Sequence, residues 1–175
     1  MARREALREL QSRLAERLQQ ARAEARGAAW LAVECAEQGL LLPLAGAGEI
    51  FAVGTVLPVP HTQPWFAGVT SLRGNLHGVV DLAAFLGLRA PQPAGSVREQ
   101  ARLLALNPAC GAHCALLVDR LAGLRAADQM QPEPDDGAAK PGFAGAAWHD
   151  DGGRRWQEID LAALACHEQF LGIGA

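Results

Sequence analysis

The stretch PWFAGVTSLRGNLHGVVDLAAFLGL, residues 64–88, decides how the rest of this chain is read. Within 25 residues it sets the aromatic pair Trp65-Phe66, an isolated Arg73-Gly74 pair, an apolar run and an aspartate ahead of a short helical pattern. Arg73-Gly74-Asn75 is turn-like between residues 69–72 and 76–80, which predicts an antiparallel strand pair. Asp81 is placed to cap a short helix over residues 82–86, and Gly87 to end it. Arg73 has only small and apolar neighbours in sequence, so it reads as a charge presented beside a turn. Its task is contact rather than catalysis.

Toward the N-terminus the pattern is one of short strands. Residues 30–36 and 40–44 are apolar runs parted by a turn at Glu37-Gln38-Gly39, and residues 49–53 follow a small-residue loop at 45–48. Pro58 and Pro60 demote residues 56–59 to an edge strand or an extended connection. Toward the C-terminus, a Pro, Gly and Ser linker at 90–96 leads to runs at 102–106 and 114–119, joined by an Asn107-Pro108 loop as a second hairpin unit. Residues 126–153 turn to Ala, Gly, Pro and Asp and read as a long irregular loop with a strand near 143–148. The acidic residues Asp128, Glu133, Asp135, Asp136, Asp150 and Asp151 lack the alternating spacing of a calcium loop. Residues 156–159 read as a last strand, and Asp160 caps a final helix over 161–171 that Gly172 ends. Many short strands with Gly and Pro punctuation, in two hairpin-rich halves, predict a mainly β fold of small antiparallel barrels.

The first 26 residues are a different object. Leu7, Leu10, Leu14 and Leu18 recur at helical spacing with no Gly or Pro before Gly27, so residues 1–27 read as an amphipathic helical extension to a domain over 28–175. At about 1.5 Å per residue that helix is roughly 36 Å long. Two readings stand open: the leucine stripe docks on its own domain, or it pairs with a partner or a second copy. Seven Arg and four Glu give this segment +3, so the remaining 149 of the 175 residues sum to −6 within a total of −3. That balance speaks against a general nucleic-acid binder, which needs a basic surface. No apolar run reaches membrane-spanning length and the N-terminus is charged, so the expectation is a cytoplasmic protein without membrane insertion.

Chemistry is sparse. There is no GxGxxG or GxxxxGK[ST] phosphate loop, and the sole lysine is Lys140. Ser71, His77 and Asp81 are close in sequence, but a turn separates the first two and Asp81 is explained as a cap. His61 and His77 flank Trp65 and are candidates to meet in space. His113, His149 and His167 show no metal spacing. Trp30, Trp65, Trp148 and Trp156 suit core anchors, with Trp65 also a candidate interface residue. Cys35, Cys110, Cys114 and Cys166 fall in apolar runs and read as small buried hydrophobes. An alternative reading is a cytoplasmic thiol or zinc-binding protein using Cys110, His113 and Cys114, although three soft ligands fall short of the usual four.

The opening stretch resembles the CheW-like adaptor family of bacterial chemotaxis. The resemblance rests on Trp65, Gly68-Val69, Leu72-Arg73-Gly74 and Val79-Val80-Asp81-Leu82 in order and spacing. Glu49-Ile50, Val118-Asp119 and Ile159-Asp160-Leu161 extend it over about residues 28–171. It implies two small five-stranded SH3-like barrels on a shared core, no enzyme activity and no cofactor. It further implies coupling of a CheA-type histidine kinase to methyl-accepting chemotaxis receptors, with recruitment to membrane receptor arrays. Carried onto this chain, the protein-binding residues are Arg73, Gly68, Val69, Leu72, Gly74, Glu49 and Trp65. Gly78 stands where the family carries proline, and His77 beside it is also a departure. With the added N-terminal segment, these place the resemblance in the type IV pilus twitching-motility branch.

Overall fold

The computed structural model describes residues 28–92, 99–135 and 137–175. The expected helix over residues 1–27, most of the 90–96 linker and Asp136 lie outside the described residues. Two sheets make up the fold. The first holds β1 (Ala28–Cys35), β2 (Gln38–Pro43), β8 (Arg120–Ala126), β9 (Met130–Pro132), β10 (Ala144–Asp150) and β11 (Arg155–Ile159), in the order β8-β1-β2-β11-β10-β9. The second holds β3 (Ala47–Ala52), β4 (Phe66–Leu72), β5 (Asn75–Asp81), β6 (Arg102–Leu106) and β7 (Cys114–Val118), in the order β3-β6-β7-β5-β4. Pairing is antiparallel except for β2 with β11 and β5 with β7.

Both sheets curl until their edges meet. In the first, edge strands β8 and β9 are consecutive, joined only by the 3-10 turn Ala127–Gln129. In the second, Leu57 and Val69 exchange N–H···O bonds of 2.8 Å, and Thr70 Oγ1 donates to the Thr55 carbonyl at 2.8 Å, which seals β4 against the chain leaving β3. Residues 56–59 are therefore the extended connection, not a full strand.

The mainly β, two-sheet architecture matches the expectation, with four corrections. One sheet has six strands, not five, because β8 and β9 are two ends of one path broken by the 3-10 turn. The sheets do not follow the two halves of the sequence, since β1 and β2 join the C-terminal strands. The irregular loop expected at 126–153 holds, besides β10 where a strand was expected near 143–148, the short strand β9, whose pairing comes from β10 rather than from its own composition. The helix expected over 161–171 is two pieces, α2 (Leu161–Ala165) and α3 (Glu168–Leu171), parted where His167 takes extended ψ of 134°. That break aims buried Phe170 at Trp65 and Phe85, with ring centroids 6.3 and 5.4 Å away.

Strand alternation builds three apolar layers. Leu31, Val33, Leu40 and Leu42 from the first sheet meet Val80, Leu104, Leu116 and Val118 from the second in the shared core. The opposite faces of the same strands fill each barrel: Trp30, Ala32, Leu41 and Trp156 in one, Val79, Leu103 and Ala115 in the other. Strands buried on both faces read as unbroken apolar runs, which is how these runs appear in the sequence.

A buried polar joint ties the barrels. Asp81 caps α1 (Leu82–Phe85) by accepting from Ala84 N–H at 3.2 Å, as expected. It also accepts two bonds from Arg89, at 2.9 and 3.0 Å, and Arg89 makes two more to Asp119 at 2.6 and 2.7 Å. Asp119 then accepts the Ala36 N–H at 2.7 Å. That anchor holds a turn in which Ala36 and Glu37 have φ of +49° and +71°. The turn thus sits one residue before the expected Glu37-Gln38-Gly39, and Gly39 lies in β2 under the Trp156 ring, with 2.6 Å left for a Cβ.

Candidate protein-binding surface around Arg73

Leu72 pairs with Asn75, leaving Arg73 and Gly74 as a two-residue turn with φ of +49° and +81°. Both central residues are left-handed, as in a type I′ turn, whose twist matches that of the flanking strands. The turn presents Arg73 to solvent, and Arg73 Nε meets Glu49 Oε2 of edge strand β3 at 2.6 Å. The side chains remain 74% and 54% exposed. An ion pair this open contributes at most about 1 kcal/mol to the fold, so both charges stay available to a partner. Beside it lies a groove of about 480 Å³ between β3 and β4, lined by Phe51, Thr55, Thr70 and Leu72 as well as Arg73.

The other expected residues lie behind this surface. Gly68 is buried at φ +135°, and a Cβ there would stand 2.1 Å from the Leu57 carbonyl oxygen. Val69 is half-buried, and Leu72 points into its barrel beside Val79. Trp65 is 7% exposed in the shared core, with its ring 5.1 Å from Phe85. The structure thus brings Arg73, Gly74 and Glu49 together at the surface, with Gly68, Leu72 and Trp65 as their support. Sequence reading missed the apolar flanks, Leu57 at 60% and Leu76 at 67% exposed. The signal for Leu76 was its phase in β5, opposite to inward-facing Val79.

Gly78 has a local reason. Its N–H donates to the His113 carbonyl at 3.1 Å, and the Phe66 ring lies 3.0 Å from where a Cβ would be. Proline would remove the donor and strike the ring. Gly78→Pro is expected to lower stability by about 2–3 kcal/mol in urea unfolding; an unchanged midpoint would contradict this role.

The remaining sequence candidates separate. Ser71 pairs with Leu76 and Thr70 with His77, which puts Ser71 and His77 on opposite faces, while Asp81 is held in the buried joint. The ring beside His77 is that of His113, and the His61 carbonyl accepts from the Ala175 N–H at 3.0 Å. Cys35, Cys110 and Cys114 are buried as expected, whereas Cys166, at the end of α2, is exposed. Burial, with Asp119 adding to it, pushes the Cys35 thiol up to about 12. Burial, with Cys110 nearby, does the same for Cys114, to about 12. Among the described residues no three of His, Cys, Asp or Glu are grouped to hold a metal ion. In the native protein Cys166 is expected to react with a thiol reagent at mildly alkaline pH well before the other three; equal rates would contradict this burial.

Residues 29–169 match the CheW-like domain family, and the chain belongs to that family of chemotaxis-type scaffolding adaptors. Over 135 residues it is 27% identical to Protein PilI of Pseudomonas aeruginosa, covering 75% of this chain and 71% of that one. Its fold is similar to the crystal structure of the scaffolding protein TtCheW from Thermoanaerobacter tengcongensis, with TM-score 0.63, 18% identity, and 77% and 90% of the two chains covered. Among the described residues no helix is long and apolar enough to cross a membrane.

Proposed function

We propose that this protein is a non-catalytic adaptor that couples a CheA-type histidine kinase to methyl-accepting receptors, working on the cytoplasmic side at membrane receptor arrays. The observation that carries the reading is the Arg73 turn, held across the barrel seam by Glu49 with both charges open to solvent. The similarity to PilI supports placing the adaptor in a type IV pilus system that controls twitching motility. In this reading residues 28–175 form the adaptor domain, and Arg73 and Glu49 make the polar contact while Leu57 and Leu76 supply apolar area. The thiol or zinc alternative is disfavoured because Cys110 and Cys114 are buried.

The test is Arg73→Glu, which sets two carboxylates against each other at an exposed site. Stability should change by less than about 1 kcal/mol. Capture of receptor and kinase should fall by roughly thirtyfold or more, the loss of about 2 kcal/mol that marks an interface hot spot. Unchanged capture by a folded variant contradicts the assignment.

A further inference from the structure

Two features set apart in the sequence, His77 and Gly78, belong to one arrangement with His113. Parallel pairing of β5 and β7 begins at Gly78 opposite Cys114, so the residues one step earlier, His77 and His113, lie side by side. The Gly78 N–H to His113 carbonyl bond fixes their spacing. The ring centroids are 6.2 Å apart with planes at 70°. His113 is exposed and His77 half-exposed, so solvent reaches the pair. Cys114, by contrast, turns into the shared core, which separates His113 from the thiols with which it is grouped in sequence.

The donor nitrogen of His77 follows from its partner. Its Nδ1 lies 3.0 Å from the Asn75 carbonyl oxygen. A carbonyl only accepts, so Nδ1 is the donor, and in the neutral ring Nε2 is the nitrogen with the free lone pair. A ring nitrogen donating to a backbone carbonyl while the other nitrogen stays free is the arrangement that orients metal-ligating histidines. The rings stand slightly apart from the spacing one ion needs. With metal–nitrogen bonds of about 2.1 Å and each ring centre about 1.1 Å behind its nitrogen, two rings on one tetrahedral ion have centroids about 5.2 Å apart, so these solvent-reached rings close by about 1 Å to share it.

We propose that His77 and His113 form a two-histidine site for a divalent transition cation of the class imidazole favours, such as zinc, nickel or copper. Among the described residues no third His, Cys, Asp or Glu joins them, so water or a donor from a bound partner completes the coordination. The site lies on the hairpin that carries Arg73, and bound cation ties that hairpin to the loop before β7. It stands independently of the adaptor reading.

The test uses the full chain with Cys166→Ser, so that the exposed thiol does not compete. Calorimetric titration with Zn²⁺ should show one ion per chain, and His77→Ala or His113→Ala should each weaken it at least about tenfold. Wild-type affinity in either folded variant overturns the site. Ni²⁺ titration of the His-bearing chain gives a second readout that needs no folded variant. The ring NMR signals of His77 and His113 should broaden together, ahead of those of His61, His149 and His167. Broadening that begins at another histidine overturns it as well.

Discussion

Replacing Arg89 with Met is expected to lower the stability of the domain by about 3–5 kcal/mol, the cost of breaking a buried ion pair by removing one partner. Arg89 is 13% exposed, and its two carboxylate partners, Asp81 and Asp119, are 7% and 11% exposed. Without the guanidinium the two carboxylates lose the cation that bonds both of them. Asp81→Asn is the informative contrast. Asparagine caps a helix as well as aspartate does, and Arg89 keeps its two bonds to Asp119, so the loss should be nearer about 1 kcal/mol. Urea unfolding of both variants measures the difference. Equal losses would show that the joint acts through packing rather than charge. Because Asp119 also anchors the Ala36 turn, the Arg89 variant should loosen the contact between the barrels as well as lower the midpoint.

Gly68→Ala is the second large effect, expected at about 2–4 kcal/mol. Two causes act together. A φ of +135° is closed to side chains, and the added Cβ would lie 2.1 Å from the Leu57 oxygen and 2.7 Å from its carbonyl carbon. Both are backbone atoms, and moving them breaks the Leu57–Val69 bridge that seals the second barrel. Gly74→Ala separates strain from clash: φ there is +81°, with nothing within 4 Å of a Cβ. That variant should lose only about 1 kcal/mol. If Gly68→Ala unfolds at the same urea concentration as Gly74→Ala, the seam is softer than the hydrogen bonds imply.

The turn at Arg73-Gly74, the Asp81 and Asp160 caps and the runs that became β1, β2, β6 and β7 were legible because their signals are local. Caps depend on a few neighbouring residues, and a strand buried on both faces announces itself as an apolar run. What failed depends on distant partners. β8 carries Gly123 and two arginines with half-exposed alternation, and only its register with β1 makes it a strand. Met130–Pro132 is a strand because β10 offers it a template, not because its residues favour one. The helix after Asp160 breaks because Phe170 is drawn to Trp65 and Phe85, both far away in sequence.

At the site, the local and the distant divide in the same way. The sequence placed Arg73 on a turn, and only the curl of the sheet brings Glu49 to it. Asp81 was readable as a cap, but its larger role needs Arg89, a lone arginine between Leu88 and Ala90, and Asp119 beyond two further strands. The grouping of Cys110, His113 and Cys114 loses His113, which stays exposed just before β7 while both thiols turn into the shared core. His113 instead gains His77, which the parallel register supplies.

The central claim is that the Arg73 surface links receptor to kinase. Its most direct test is receptor-dependent autophosphorylation of the kinase, with the protein added as wild type or as Arg73→Glu. Wild type should make the kinase respond to receptor, and the folded variant should leave it near the level seen without adaptor. Equal stimulation by both, or none by wild type, would contradict the account.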